Sequence, residues 1–229
     1  MSQRKNNDRK AEVLRAIFET LSRHYGPQNW WPGDSPFEVC VGAILTQNTN
    51  WQNVERAIAN LRAAGKLSFR ALYRTPDAEL KELIRPAGFF NVKAKRLRNF
   101  LEFLEASCRG DLKELAHRPW PVVRAELLAV NGIGNETADS ILPYALGKPV
   151  FVIAAYTRRM LLRHGFREET ASYAGMQELF MTHFPPETGL YNEYHALIVQ
   201  LGKDFRGTGP WAGNYPLKER KYFLKKVRW

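Results

Sequence analysis

Cysteine is scarce in this sequence: Cys40 and Cys108 are the two among 229 residues. Two thiols cannot supply a four-ligand structural zinc site or an iron–sulfur cluster, and they exclude a disulfide-stapled scaffold; a reducing, cytoplasmic setting is expected. Long apolar runs are missing as well. No stretch approaches the roughly 18 consecutive apolar residues of a membrane helix, and the opening MSQRKNNDRK is too polar for a secretory signal, so a soluble protein is expected, with no membrane partner. Internal repeats and low-complexity linkers are also absent. Acid is the third shortage. Against 34 Lys+Arg stand 23 Asp+Glu, a formal charge of +11 that points to a polyanionic partner.

What is present is a globular composition, with 45% hydrophobic and 25% charged residues. The excess base concentrates at the ends: residues 1–10 carry net +3 and residues 203–229 net +6, two basic arms. Two inner clusters, KAKRLR from Lys93 to Arg98 and RRMLLR from Arg158 to Arg163, alternate basic and apolar side chains at helical spacing. In them Lys93, Lys95, Arg96 and Arg158 suit a helix edge facing phosphate.

The periodicity predicts an all-α fold of about ten helices. Ala11, Leu14, Ile17, Phe18 and Leu21 share one helix face within residues 8–25. Ser35-Pro36-Phe37-Glu38 has the marks of a capping box and opens a helix to about Thr46. Asn50 caps a helix that stops at Gly65, Thr75-Pro76 opens another, and Asn91 opens one running to about Ser107. Val150 to Ile153 is the one stretch that looks extended, too short for a sheet.

The densest motif runs from Leu127 to Leu142, two apolar helical segments joined by Asn131-Gly132-Ile133-Gly134-Asn135. Two glycines around one apolar residue allow a tight hairpin whose bare backbone approaches a ligand closely, and the free N–H groups of the next helix make an anion site. Gly132, Ile133, Gly134, Asn135 and Thr137 are thus candidate contacts to a phosphate of a nucleic-acid backbone. An ordinary helix–turn–helix corner is the alternative.

These motifs together carry a resemblance. The hairpin resembles the helix-hairpin-helix of the endonuclease III superfamily of base-excision DNA glycosylases. The strings NWWP (Asn29 to Pro32), FEVCVGAILTQNTNW (Phe37 to Trp51), RPAGFFNVKAKRL (Arg85 to Leu97) and GIGNETADSIL (Gly132 to Leu142) are most similar to its bacterial 3-methyladenine DNA glycosylase branch. The resemblance covers about Leu21 to Leu201. It implies a middle helical lobe over residues 37–147, with the hairpin at about 120–146, and a second lobe built from residues 1–36 and 148–229. Between them it implies a DNA-binding cleft that receives one flipped, damaged nucleotide of double-stranded DNA, bound by a monomer.

The resemblance also assigns site residues. Trp30, Trp31, Pro32 and Trp51 are placed to line a pocket for a cationic alkylated purine, which electron-rich aromatic faces attract. Gln47 stands where relatives push a side chain into the gap left by the flipped base. The family's catalytic aspartate falls on Ala154, within Val152-Ile153-Ala154-Ala155-Tyr156-Thr157, so the carboxylate is missing and weak or no excision is expected. The lysine of strand-cleaving members falls on Glu136, which excludes a Schiff base there and leaves Glu136 as a second candidate catalytic acid. The segment Phe205 to Lys221, similar to the cluster-binding loop of many relatives, has no cysteine, so no iron–sulfur cluster, other metal or cofactor is expected. Three functions stay open: an alkylpurine glycosylase, a non-catalytic lesion- or structure-sensing DNA-binding protein, and a glycosylase for uracil or mismatched thymine.

Overall fold

The computed structural model describes residues 2–30, 33–205 and 214–224. Among them the architecture is all-helical, with no strand. The chain forms two compact units, residues 31–148 and residues 1–30 with 149–229.

The unit of residues 31–148 is organised around α2 (Pro36–Leu45), following α1 (Ser2–Tyr25) of the other unit. Helix α2 is apolar almost all round, with eight of ten residues buried, as a central helix must be. Around it come α3 (Trp51–Ala63), α4 (Phe69–Arg74), α5 (Asp77–Leu83), α6 (Phe90–Cys108), α7 (Leu112–His117), α8 (Trp120–Ala129) and α9 (Asn135–Leu146), with its closest packing against α9. Ser35 caps α2 by accepting from the Glu38 N–H at 3.2 Å. The reciprocal half of the expected capping box does not form. Glu38 is buried, and its carboxylate instead takes the Arg62 guanidinium at 2.8 Å, since a buried charge needs an ionic partner more than a solvent-reachable N–H needs an acceptor. Asn50 caps α3 through the Asn53 N–H, as predicted. The six-residue α4, capped by Ser68, is shorter than any periodicity window and went unread.

The other unit packs α1 against α11 (Tyr173–His183) and α12 (Thr188–Asp204), and α10 (Ala155–Arg163) against α12. Its core stacks Phe151 on Phe180 at 3.9 Å and inserts Tyr194, whose hydroxyl donates to the Leu14 carbonyl at 2.9 Å. Part of the basic N-terminal arm is structural, because Arg9 donates to the Phe223 carbonyl and Lys10 pairs with Glu169 at 2.5 Å. The segment before residue 224 is held by His164, fully buried. Since a carbonyl only accepts, His164 Nδ1–H donates to the Tyr222 carbonyl at 2.8 Å, leaving Nε2 to accept from the Tyr215 hydroxyl at 2.9 Å.

Burial pushes the His164 imidazole down to about 3. The unfolded chain, with an ordinary histidine, binds a proton below about pH 6.5 that the folded chain refuses, so stability is complete above that pH and is lost as the pH falls toward 3. Chemical denaturation between pH 7 and pH 5 should show this loss. His164→Gln, neutral at every pH, should flatten the slope, by an amount that grows toward about 1.4 kcal/mol per pH unit at the acid end of this range. An unchanged slope would show that His164 is protonated in the fold.

Candidate nucleic-acid interface

Helix α8 ends at Ala129 with Val130 as its extended C-cap, and the Ile133 N–H closes the turn onto the Val130 carbonyl at 3.0 Å. Ile133 is buried and anchors the loop. Gly132 has φ +99°, and a Cβ there would lie 2.3 Å from the Arg96 Cγ, so glycine is required twice over. Gly134 forms the N-cap of α9 with no side-chain cap. A Cβ on Gly134 would meet nothing within 4 Å, and residues 134–137 at the start of α9 line a concavity. Arg124 braces the hairpin by gripping buried Asp139 with two hydrogen bonds, of 2.6 and 2.9 Å, and reaching the Asn135 Oδ1 at 3.2 Å. Asp139 is therefore a structural acid.

The end of α2 is fastened to this hairpin by Gln47. Its Nε2 donates to the Gly132 carbonyl at 3.0 Å and to the Thr137 hydroxyl at 2.8 Å, while its Oε1 accepts from the Arg96 guanidinium. Beside them lies a concavity of about 440 Å³ lined by Asn48, Arg96, Gly134, Asn135, Glu136 and Ser140, among others. It combines an uncapped helix N-terminus with a guanidinium, a site for an anion. Glu136 stands in the first turn, exposed at its surface, with a carboxyl raised above the usual range by desolvation in the concavity.

Three assignments need correction. Lys93 is 1% exposed, and its ammonium donates to the Ala87 carbonyl at 2.7 Å inside the unit, so it does not face phosphate. Arg98 of the same cluster is spent on Asp77 and on backbone carbonyls at the end of α4. Thr137 is buried with its hydroxyl turned to Gln47, leaving its backbone N–H as its contribution to an anion site. Gln47, at the position from which relatives push a side chain into the gap left by a flipped base, is here a clamp with both amide atoms engaged, which gives it a role that a plain helix-end residue would not have. Lys95 is exposed as expected, and Arg158 is exposed with Nε on the Thr170 carbonyl.

In the other unit, Ala154 is the N-cap of α10, extended at φ −91° and ψ 166°. Its N–H donates to the Thr157 Oγ1 at 3.3 Å. That is half of a capping box; the missing half is an N-cap oxygen to accept from the Thr157 N–H, which a methyl group cannot provide. Trp30 is half-buried against His195, and Trp51 is half-buried as the first residue of α3. Trp31 and Pro32 lie outside the described residues.

Phe89 was missed by sequence reasoning. It is 70% exposed and left-handed at φ +47°, where it caps α6 in place of the expected Asn91. An exposed aromatic in a costly backbone conformation is a mark of a functional position. The signal was Gly88-Phe89-Phe90: Phe90 packs under Arg85 at 4.7 Å, which leaves Phe89 outside.

The profile described as HhH-GPD superfamily base excision DNA repair protein matches residues 41–186. A protein of Methanocaldococcus jannaschii, provisionally named DNA repair glycosylase MJ1434, is 47% identical over 93% of this chain and 97% of its own. The H. pylori 3-methyladenine DNA glycosylase, crystallised with 1,N6-ethenoadenine, is 28% identical with a TM-score of 0.72, covering 85% of this chain and 97% of that one. A non-covalent endonuclease III–DNA complex shares the fold at a TM-score of 0.75 and 18% identity, over 93% of this chain and 96% of that one.

Ala154→Asp should complete the capping box and raise stability by about 1 kcal/mol, seen as a melting temperature higher by about 2–4 °C. A melting temperature unchanged or lowered would show that the cap geometry at residue 154 does not accept a carboxylate.

Proposed function

Because the chain belongs to the HhH-GPD superfamily of base excision DNA repair proteins, we propose that it is a monofunctional glycosylase-type protein for alkylated purines in duplex DNA, with its excision step disabled at Ala154. The observation that carries this reading is the half-formed capping box, an N-cap site built to the geometry of an oxygen-bearing residue and occupied by alanine. The uncapped α9 terminus beside Arg96 supports phosphate binding. Phe89 has the shape and exposure of an aromatic wedge entering an opened base step, a role reassigned here from Gln47. Trp30, held against His195 within its own unit, is the candidate aromatic face for the base.

Breaking the glycosidic bond of an alkylpurine develops positive charge on the sugar while an already cationic base departs. A carboxylate at residue 154 would stabilise that charge and orient or deprotonate the attacking water. A methyl group does neither. The carboxylic acid of Glu136 is held toward its neutral form and has no amine to make a Schiff base, so strand cleavage by that route is not part of the reading. The residues also do not fit a four-iron four-sulfur cluster. The two cysteines, Cys40 and Cys108, are both buried thiols raised above their usual range by desolvation, and no four-thiolate set exists in the sequence. The protein would act on chromosomal DNA in the cytoplasm, as a monomer. Ala154 equally favours a second reading, a lesion-sensing DNA-binding protein that leaves the base in place.

Single-turnover release of 3-methyladenine from methylated duplex, at equal and saturating protein, separates these readings. Ala154→Asp should excise about 10²–10⁴-fold faster than the chain as it stands. Equal, measurable rates would move the chemistry to another acid, Glu136 first; no release by either protein would favour the sensing role.

A further inference from the structure

The segment that carries Trp30 is docked on α12 at two points. The Gln28 N–H donates to the Glu193 Oε1 at 2.8 Å, and two residues along α12 the imidazole of His195 lies against the Trp30 indole, with ring centroids 5.3 Å apart and planes tilted by 33°. Between these points Asn29 is left-handed at φ +45°, and the Gln28 amide folds back onto the Tyr25 and Gly26 carbonyls. The tryptophan is therefore presented by a constrained loop. His195 is 5% exposed, and the base-excision reading gives it no task.

We infer that His195 is a positioning residue, whose ring fixes the Trp30 indole as the platform on which an alkylated base stacks. This rests on the alkylpurine reading. A stacking platform gains affinity only if its orientation is set before the base arrives, because ordering it afterwards costs entropy. His195 also suits a cationic base electrostatically. Burial holds its imidazole down to about 3, so it stays neutral at physiological pH and adds no positive charge behind the electron-rich indole face. The surrounding packing fits this role: Glu193 restrains the loop's backbone, leaving the ring of His195 to orient the indole.

The test is fluorescence anisotropy of the full chain on two duplexes of one sequence, one carrying N7-methylguanine on a 2′-fluoro sugar that resists base loss, the other unmodified. His195→Ala should lower the preference for the methylated duplex roughly tenfold, and His195→Phe, which keeps a neutral ring, should restore it to within about twofold. His195→Leu fills the same space without a π face and should fail as alanine does, which distinguishes stacking from simple packing. Trp30→Ala should lose as much as His195→Ala, with no further loss in the double variant. Additive losses, or a preference lowered by Trp30→Ala and untouched by His195→Ala, would overturn the positioning role. If the unsubstituted chain showed no preference for the methylated duplex, the alkylpurine reading would fall, and the platform role with it.

Discussion

The Gln47 carboxamide is the point at which α2, α6 and the hairpin share one geometry. It satisfies the Gly132 carbonyl and the Thr137 hydroxyl with one nitrogen and draws the Arg96 guanidinium over the hairpin with its oxygen. Thr137 is buried, so its hydroxyl needs this partner, and the half-buried Gln47, Arg96 and Gly132 hold one another by mutual satisfaction more than by any single bond. Gly132 completes the lock, since Arg96 passes where any Cβ would stand. What the clamp leaves open is as telling. The α9 terminus has no side-chain cap and Gly134 projects nothing, and the first residues of α9, Glu136 among them, line the concavity together with Arg96.

A different economy governs the start of α10. Residue 154 has the extended backbone of an N-cap and half of a capping box, yet bears a methyl group. Sites of function usually sacrifice stability; here alanine forgoes a stabilising cap together with the carboxylate proposed above for the excision step. The site therefore separates two properties that an aspartate would supply at once, and the two responses to Ala154→Asp, thermal and catalytic, are independent readings of one atom group.

Much of this was legible in the sequence. The all-helical class followed from periodicity, and the hairpin from two glycines around one apolar residue. The brief helix α4 was invisible because six residues hold less than two turns of pattern. Charge clusters misled for a definite reason: spacing tells which residues share a helix face, but not which face is buried, and Lys93 and Arg98 are both spent on carbonyls of neighbouring segments. Gln47 was read from its place in a motif, while its role depends on partners 85 and 90 residues away. Phe89 was hidden because exposure and a left-handed backbone are not properties of composition; Ala154 was legible as an absence, and the structure adds the half-built cap around it.

The central claim is that the hairpin amides and α9 terminus hold a phosphate of duplex DNA. Gly134 offers the most direct test, because its φ of −96° suits any residue and a side chain there would strain nothing while filling the proposed phosphate space. Duplex affinity should be measured over a range of salt for the unsubstituted chain and for Gly134→Phe, with melting temperatures alongside. Gly134→Phe should melt at the same temperature, bind all sequences more weakly alike, and show a log–log salt slope shallower by about 1. Unchanged affinity and slope in a normally folded Gly134→Phe protein would contradict it.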